Sequence, residues 1–515
     1  MSHPHLTSPH LVLAQRRRPC DRCHSIKERC RWQPGDASNC ERCSRLNFSC
    51  RSDRRFAKKG RKARLATGNR LVLRRTEIDI PYETPQLSSP ISSTESLVTS
   101  TSSSAAFSPG VDFETSDNEY AIEIDRGISI FPDLTGFEFR LLDTMLHRQI
   151  DVDKYLIGPS FREQHCQTFI DHLRIGMPLV KDAFIACATL LVSKEDSQLV
   201  PYRGIGYRRA AAAVASLREL QIYDSRDVSI VLIFGMAMVT FALHHLGGEA
   251  SVCRHVLGLV KPLYESDFSL MKRLGSDGTS FLICLLGTET TICLLQCQVP
   301  SIRLREDDFE QLVDRFIGVS VSMLTYMYDI CQLAHLIRQS QCRLGNLLMD
   351  EGIHRALAKT EIAVEEWQPS VPKDFLDGRF TPAEVVLMLT QAKVLRLTTS
   401  LIIHRLRYAF GTYGGKAKAI SRAILDELTL VLRLTGRSMP FADITFFVAC
   451  LEITNSEERA AALMRSRRIV DFSDRTHDEI ESWLISFWNI MDNENCPAIY
   501  WDGIGPIIFG GAQKL

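Results

Sequence analysis

Two stretches decide the reading of this chain: Cys20-Asp21-Arg22-Cys23-His24-Ser25-Ile26-Lys27-Glu28-Arg29-Cys30 and Cys40-Glu41-Arg42-Cys43-Ser44-Arg45-Leu46-Asn47-Phe48-Ser49-Cys50. Each has the spacing C-x2-C-x6-C, and nine residues separate them. A C-x2-C pair turns the backbone tightly enough for both sulfurs to reach one metal. The six residues that follow form a helical turn or two, which brings the third thiolate back. Soft thiolates, with no histidine or carboxylate at the equivalent positions, suit zinc rather than a hard cation. Zinc takes four tetrahedral ligands with Zn–S about 2.3 Å, and each half supplies only three. A cluster of two zinc ions in which two cysteines bridge resolves the shortage. The expected ligands are therefore Cys20, Cys23, Cys30, Cys40, Cys43 and Cys50, holding two Zn2+ per chain.

Competing readings of these cysteines fare worse. Free or disulfide-bonded thiols leave the matched pair of units unexplained. A zinc deaminase shares the fragment Pro19-Cys20-Asp21-Arg22-Cys23, but the His-x-Glu that it needs upstream is missing. A module of this size with so few apolar side chains has no core of its own. Metal binding must supply most of its folding free energy.

Charge distribution agrees with a role at a polyanion. The 515-residue chain has no formal net charge, yet residues 1–75 hold 20 Lys/Arg against 5 Asp/Glu and the remainder is correspondingly acidic. Nucleic acid is the usual partner of such a basic end. Residues 1–19 read as a disordered tail and 20–50 as the zinc module. Residues 51–75 read as a basic arm whose run Arg54-Arg55-Phe56-Ala57-Lys58-Lys59-Gly60-Arg61-Lys62-Ala63-Arg64 serves as a nuclear localisation signal and a phosphate contact. Residues 76–130 read as a disordered linker, first rich in Ser, Thr and Pro, then mixing acids with apolar residues from Asp112 to Asp125. No sustained heptads occur between 51 and 130, so no coiled coil is expected there.

The pattern turns helical from about Phe131. Phe137, Leu141, Leu142, Met145 and Leu146 recur at helical spacing, and long apolar segments follow at 228–243, 280–297 and 384–403. Strand-like alternation is scarce and no repeat of 20–50 residues is present, so 131–515 is predicted to be one large all-α domain. The stretch 228–243 falls short of a membrane span and reads as a buried central helix. No membrane partner and no secretory signal are expected, which predicts a reducing, intracellular setting. Most of the ten further cysteines from Cys166 to Cys496 lie in apolar surroundings without ligand spacing and read as packing thiols. His244-His245 before Gly247-Gly248 reads as a glycine-capped helix end. No P-loop, G-x-S-x-G or H-E-x-x-H is present, and no enzyme activity is expected.

The spacing of the six cysteines, with Pro34 in the central loop and Lys27 fourth after the second cysteine, resembles that of the fungal zinc binuclear cluster transcription factors. The resemblance implies that Cys20 and Cys40 bridge the metals, and that the first short helix enters the major groove. It also implies that Lys27 reads a CGG-type triplet, which suits a lysine facing guanine O6 and N7. Arg22, Arg29, Arg42, Arg45 and Arg51 would then contact phosphate. His24, Ile26 and Glu28 depart from the usual basic character of that helix. The order of cluster, linker and helical domain is similar to proteins with the fungal-specific transcription factor regulatory domain. The segment Met439-Pro440-Phe441, Phe446-Phe447-Val448-Ala449-Cys450 and Glu457-Glu458-Arg459 looks like its carboxy-terminal block. The expected partners are double-stranded DNA and the transcription machinery or co-regulators. Monomeric binding and a homodimer through the α domain both stay open. The whole reads as a nuclear, zinc-dependent, sequence-specific transcription regulator without enzyme activity, whose helical domain regulates activity or binds partners.

Overall fold

The computed structural model describes residues 30, 40–45, 133–147, 152–175, 178–192, 200–245, 247–305, 311–340, 351–494 and 496–510. The chain divides into two units, Met1–Ser108 and Pro109–Leu515. In the first, the described residues form one short helix, α1 (Glu41–Arg45), which follows Cys40 and carries Cys43. The predicted tail, the linker and the heptad-free stretch 51–130 lie outside the described residues.

In the second unit every regular element among the described residues is helical apart from an isolated bridge between Asp314 and Gly318. The expectation of a large all-α domain is met. In chain order the α-helices are α2 (Gly136–His147), α3 (Arg162–Arg174), α4 (Pro178–Val192), α5 (Val200–Leu217), α6 (Ser225–His245) and α7 (Glu249–Ser266). Next come α8 (Leu270–Gln296), α9 (Met323–Gln339), α10 (Glu351–Glu366), α11 (Pro382–Arg407) and α12 (Gly414–Thr435). Last are α13 (Ala442–Cys450), α14 (Ser456–Ile469), α15 (Asp474–Met491) and α16 (Ile504–Gly510).

The apolar run 228–243 becomes the hub of this unit. Asp224 starts α6 by accepting the backbone N–H groups of Arg226 (2.8 Å) and Asp227 (3.0 Å). From Val228 to Ala242 almost every side chain is buried, because α4, α7, α8 and α15 surround the helix. A helix that is apolar on all sides needs such enclosure. Gly235 permits it, since a Cβ there would meet Val256 at 2.9 Å and Leu285 at 3.0 Å. The helix ends as expected. Gly247 and Gly248 have φ of 64° and 81°, and Gly247 N–H donates to the Ala242 carbonyl at 2.9 Å.

One detail differs from the sequence reading. Helices α6, α8 and α11 are each long and apolar enough, by length and composition, to cross a membrane. The apolar stretch 228–243 looked too short because α6 extends beyond it at both ends. Within the unit, 72%, 83% and 67% of their apolar windows are buried, so their apolarity is satisfied by packing against neighbouring helices.

A second group of helices gathers on α11, which packs against α9, α10, α12 and α13. Thr381 and Glu384 form a reciprocal capping box with Pro382 in the first turn. The Glu384 carboxylate also accepts the N–H and hydroxyl of Ser160, both at 2.7 Å. Burial alone would raise the Glu384 pKa, but the hydrogen bonds from Ser160 and Thr381 outweigh it and hold the carboxyl below its usual range. At the other end of α11, Arg405 and Glu452 form a buried bidentate pair at 2.6 and 2.5 Å. Arg405 Nη1 also donates to the carbonyls of Ala409 (2.7 Å) and Thr412 (2.9 Å). The pair ties the end of α11 to the turn after α13.

Candidate functional sites

The cysteine module is described at Cys30 and Cys40–Arg45. Cys40 and Cys43 are both buried, at 0% and 1% exposure. Helix α1 begins immediately after Cys40, and Ser44 N–H donates to the Cys40 carbonyl at 2.9 Å. This turn places Cys43 N–H 3.4 Å from Cys40 Sγ. The C-x2-C geometry thus gathers one thiol sulfur and one N–H donor at a point where the second thiol is also buried. An N–H aimed at sulfur stabilises a thiolate, the form in which cysteine binds metal. This observation fits a soft-metal site holding Cys40 and Cys43. Cys30 is half-buried and Arg45 is exposed. Arg42 lies on α1, and its side chain lies outside the described residues, as do Cys20, Cys23, Cys50, Arg22, Lys27, Arg29 and Arg51.

A different site occupies the interior of the helical unit. A cavity of about 180 Å³ lies between the segment 152–155, α3, α4, α6, α8 and the start of α13. Its walls are mainly apolar, including Met145, Phe169, Leu190, Met236, Leu285 and Phe316. Phe441 closes one side with a left-handed φ of 61°, and its ring sits where any Cβ on Gly287 would be, 2.8 Å away. The glycine in α8 is what lets this aromatic ring approach.

Polar groups on the wall are mostly committed elsewhere. Thr240, Thr288 and Thr291 donate to the backbone carbonyls of Met236, Cys284 and Thr288 at 2.9–3.0 Å. The Cys187 thiol donates to the Ala237 carbonyl at 2.9 Å. The Tyr155 hydroxyl meets His244 Nε2 at 2.5 Å. His165 is buried beside Arg315, and its Nδ1 lies 3.4 Å from Arg315 Nη1. Burial first, and the guanidinium second, depress its pKa from 6.5 to about 3. Half-buried Asp443, in the first turn of α13, is pushed up by burial to about 6, although backbone N–H groups of the turn oppose the shift. Lys154 is half-buried and has no hydrogen-bond or ion-pair partner among the described residues.

The expectation of buried packing thiols is met at six of the ten positions, whereas Cys166, Cys284 and Cys496 are half-buried and Cys342 lies outside the described residues. Cys187, Cys253, Cys293, Cys297, Cys331 and Cys450 are buried. Burial pushes Cys187 and Cys293 up to about 12, and Cys253, Cys331 and Cys450 also rise. Thiols held protonated in this way are poor ligands and poor nucleophiles. One cluster was not visible in the sequence: ligand atoms of His477, Asp478 and Glu481 lie within 4.8 Å of one another. Ser466 Oγ bonds to both His477 Nε2 and Glu481 Oε1 at 2.8 Å, so a local hydrogen-bond network accounts for the arrangement.

The cavity wall also escaped the sequence reading. Lys154, Tyr155, His165, His244 and Asp443 carry no motif, and only their meeting in space marks them. Of these, His244 was noticed only as part of a helix end.

No match is found among curated proteins or among solved structures. Residues 239–504 match the fungal specific transcription factor domain. The match begins within α6, ends at the start of α16 and takes in the Met439–Arg459 segment singled out above. It spans just over half of the chain, which therefore belongs to the fungal specific transcription factor domain family and is, at that level, a transcription regulator.

Proposed function

We propose that this regulator acts by binding DNA through a two-zinc cluster at residues 20–50, with the helical unit controlling activity or engaging co-regulators. The carrying observation is the buried pair Cys40 and Cys43, with Cys43 N–H directed at Cys40 Sγ inside the second of two matched C-x2-C-x6-C units. Cys20, Cys23, Cys30, Cys40, Cys43 and Cys50 hold the metals, with Cys20 and Cys40 as bridges. Zinc would supply the tetrahedral crosslinks that a segment with so little apolar content needs in order to fold.

Lys27 would read guanine in a CGG-type triplet. Arg22, Arg29, Arg42, Arg45 and Arg51, with the basic arm 54–64, contribute phosphate contacts and salt dependence. The same arm fits nuclear import, and the regulator is assigned to the nucleus. Membership of a transcription factor family favours a non-enzymatic role.

Unbiased selection of binding sites by the full chain tests this reading. Enrichment of CGG-bearing DNA supports it, and the spacing of triplets distinguishes a monomer from a dimer. Lys27→Ala should weaken selected DNA more than random DNA, by about 1–3 kcal/mol. Equal losses on both would move Lys27 to the phosphate-contacting group, and no enrichment of any site would sink sequence-specific binding.

A further inference from the structure

We propose that the cavity of the helical unit binds a small, mainly apolar carboxylic acid, with Lys154 receiving its carboxylate. The proposal is independent of zinc and DNA, since it concerns a site built wholly from the second unit.

Size comes first. A cavity of about 180 Å³ is slightly larger than the roughly 150 Å³ cavity that admits benzene. It suits one ring or a short branched chain bearing a small polar group.

Chemistry comes next. Most of the wall is apolar, so the body of the ligand is hydrocarbon. Threonine hydroxyls and the Cys187 thiol have given their hydrogens to backbone carbonyls, and Tyr155 is engaged with His244. That leaves Lys154 as the cationic donor on the wall, half-buried and without an anionic partner among the described residues. A lysine lining an apolar space favours an anion that can be desolvated with it. Asp443 stands apart, held by backbone N–H groups at the start of α13.

Position adds a further point. Lys154 lies outside the region 239–504 matched by the family, whereas Leu285, Thr288 and Phe441 lie inside it. The apolar wall thus draws on both sides of that boundary, with Met145, Phe169, Leu190 and Met236 outside the matched region, and the charge comes from the segment preceding α3. Ligand specificity would therefore belong to this chain.

Calorimetric titration of the full chain with phenylacetate, and with phenylacetamide as its neutral counterpart, tests the assignment. Phenylacetate should bind at least tenfold more tightly than the amide. Lys154→Met should weaken the acid on the order of 10–100-fold and leave the amide within about twofold. Thr288→Phe, which fills the space from α8, should abolish binding of both, and its melting temperature without ligand checks that it folds. Should Lys154→Met melt early, Lys154→Arg provides the second arm and should retain acid binding. Absence of phenylacetate binding at millimolar concentration overturns the proposal. So does equal affinity for acid and amide, or acid binding that survives Lys154→Met unchanged.

Discussion

Cysteines of the two units sit in opposite surroundings. In the first unit, Cys40 and Cys43 are buried on a short turn, with an N–H group facing sulfur and little apolar chain nearby in sequence. In the second, Cys187, Cys253, Cys331 and Cys450 are equally buried but sit inside a continuous helical core. There, burial raises every one of these thiols. Burial by itself therefore says nothing about what a cysteine does. Spacing and the polarity of the surroundings decide whether sulfur becomes a thiolate ligand or a small apolar filler.

The contrast implies two separate sources of stability, and the strongest test removes one of them. Chelation of zinc, or Cys40→Ser, should unfold the first unit and abolish DNA binding, because metal ligation of such modules contributes about 10–16 kcal/mol. Melting of the helical unit should not change. Maleimide should then label the six thiols of residues 20–50, while Cys187, Cys253, Cys331 and Cys450 stay unlabelled until the helices melt. Mass spectrometry of the untreated chain should show two zinc ions, and a single ion would refute the bridged cluster.

The reverse perturbation is smaller. Arg405→Met strands the buried Glu452 carboxylate and leaves the carbonyls of Ala409 and Thr412 without their donor. It should cost the helical unit about 3–5 kcal/mol in denaturant unfolding, while zinc content and DNA selection stay as they are. Adding Glu452→Leu should recover part of that loss, since the uncompensated charge is then gone. If the zinc module also failed in Arg405→Met, the two units would not be energetically separate.

Acid offers the finest comparison. His165 has a folded pKa near 3 against an ordinary value of 6.5, so the unfolded chain takes up the proton first as pH falls. Its contribution is therefore fully present above pH 6.5 and is lost progressively as pH drops toward 3, by about 3 kcal/mol at pH 4. Asp443 works against this trend. Its folded pKa is raised to about 6, so it favours the folded state as pH falls through 6 toward the unfolded value of 3.8. His165→Gln should flatten the acid limb of helical-unit stability, measured by denaturant unfolding at several pH values. An unchanged acid limb would show that His165 is protonated in the folded state without penalty.

Much of this protein was legible along the chain. The proposed ligand set Cys20 to Cys50 rests on local spacing alone, since thiolate chemistry needs no knowledge of distant residues to suggest zinc. The helical character of 131–515 was equally plain, because period and apolar content are local quantities. Even the end of α6 was readable, since left-handed glycines at 247 and 248 are a short-range signal. Tertiary structure decided the rest. Only folding showed that α6 is long enough to span a membrane yet enclosed by four helices, or that Arg405 meets Glu452 across 47 residues. The cavity is the clearest case: Lys154, Cys187, Thr288 and Asp443 come from segments far apart in sequence, and no spacing rule joins them. The proposed metal site, made by two short turns, would be encoded locally, whereas an apolar cavity is a gap between helices whose packing the entire unit determines.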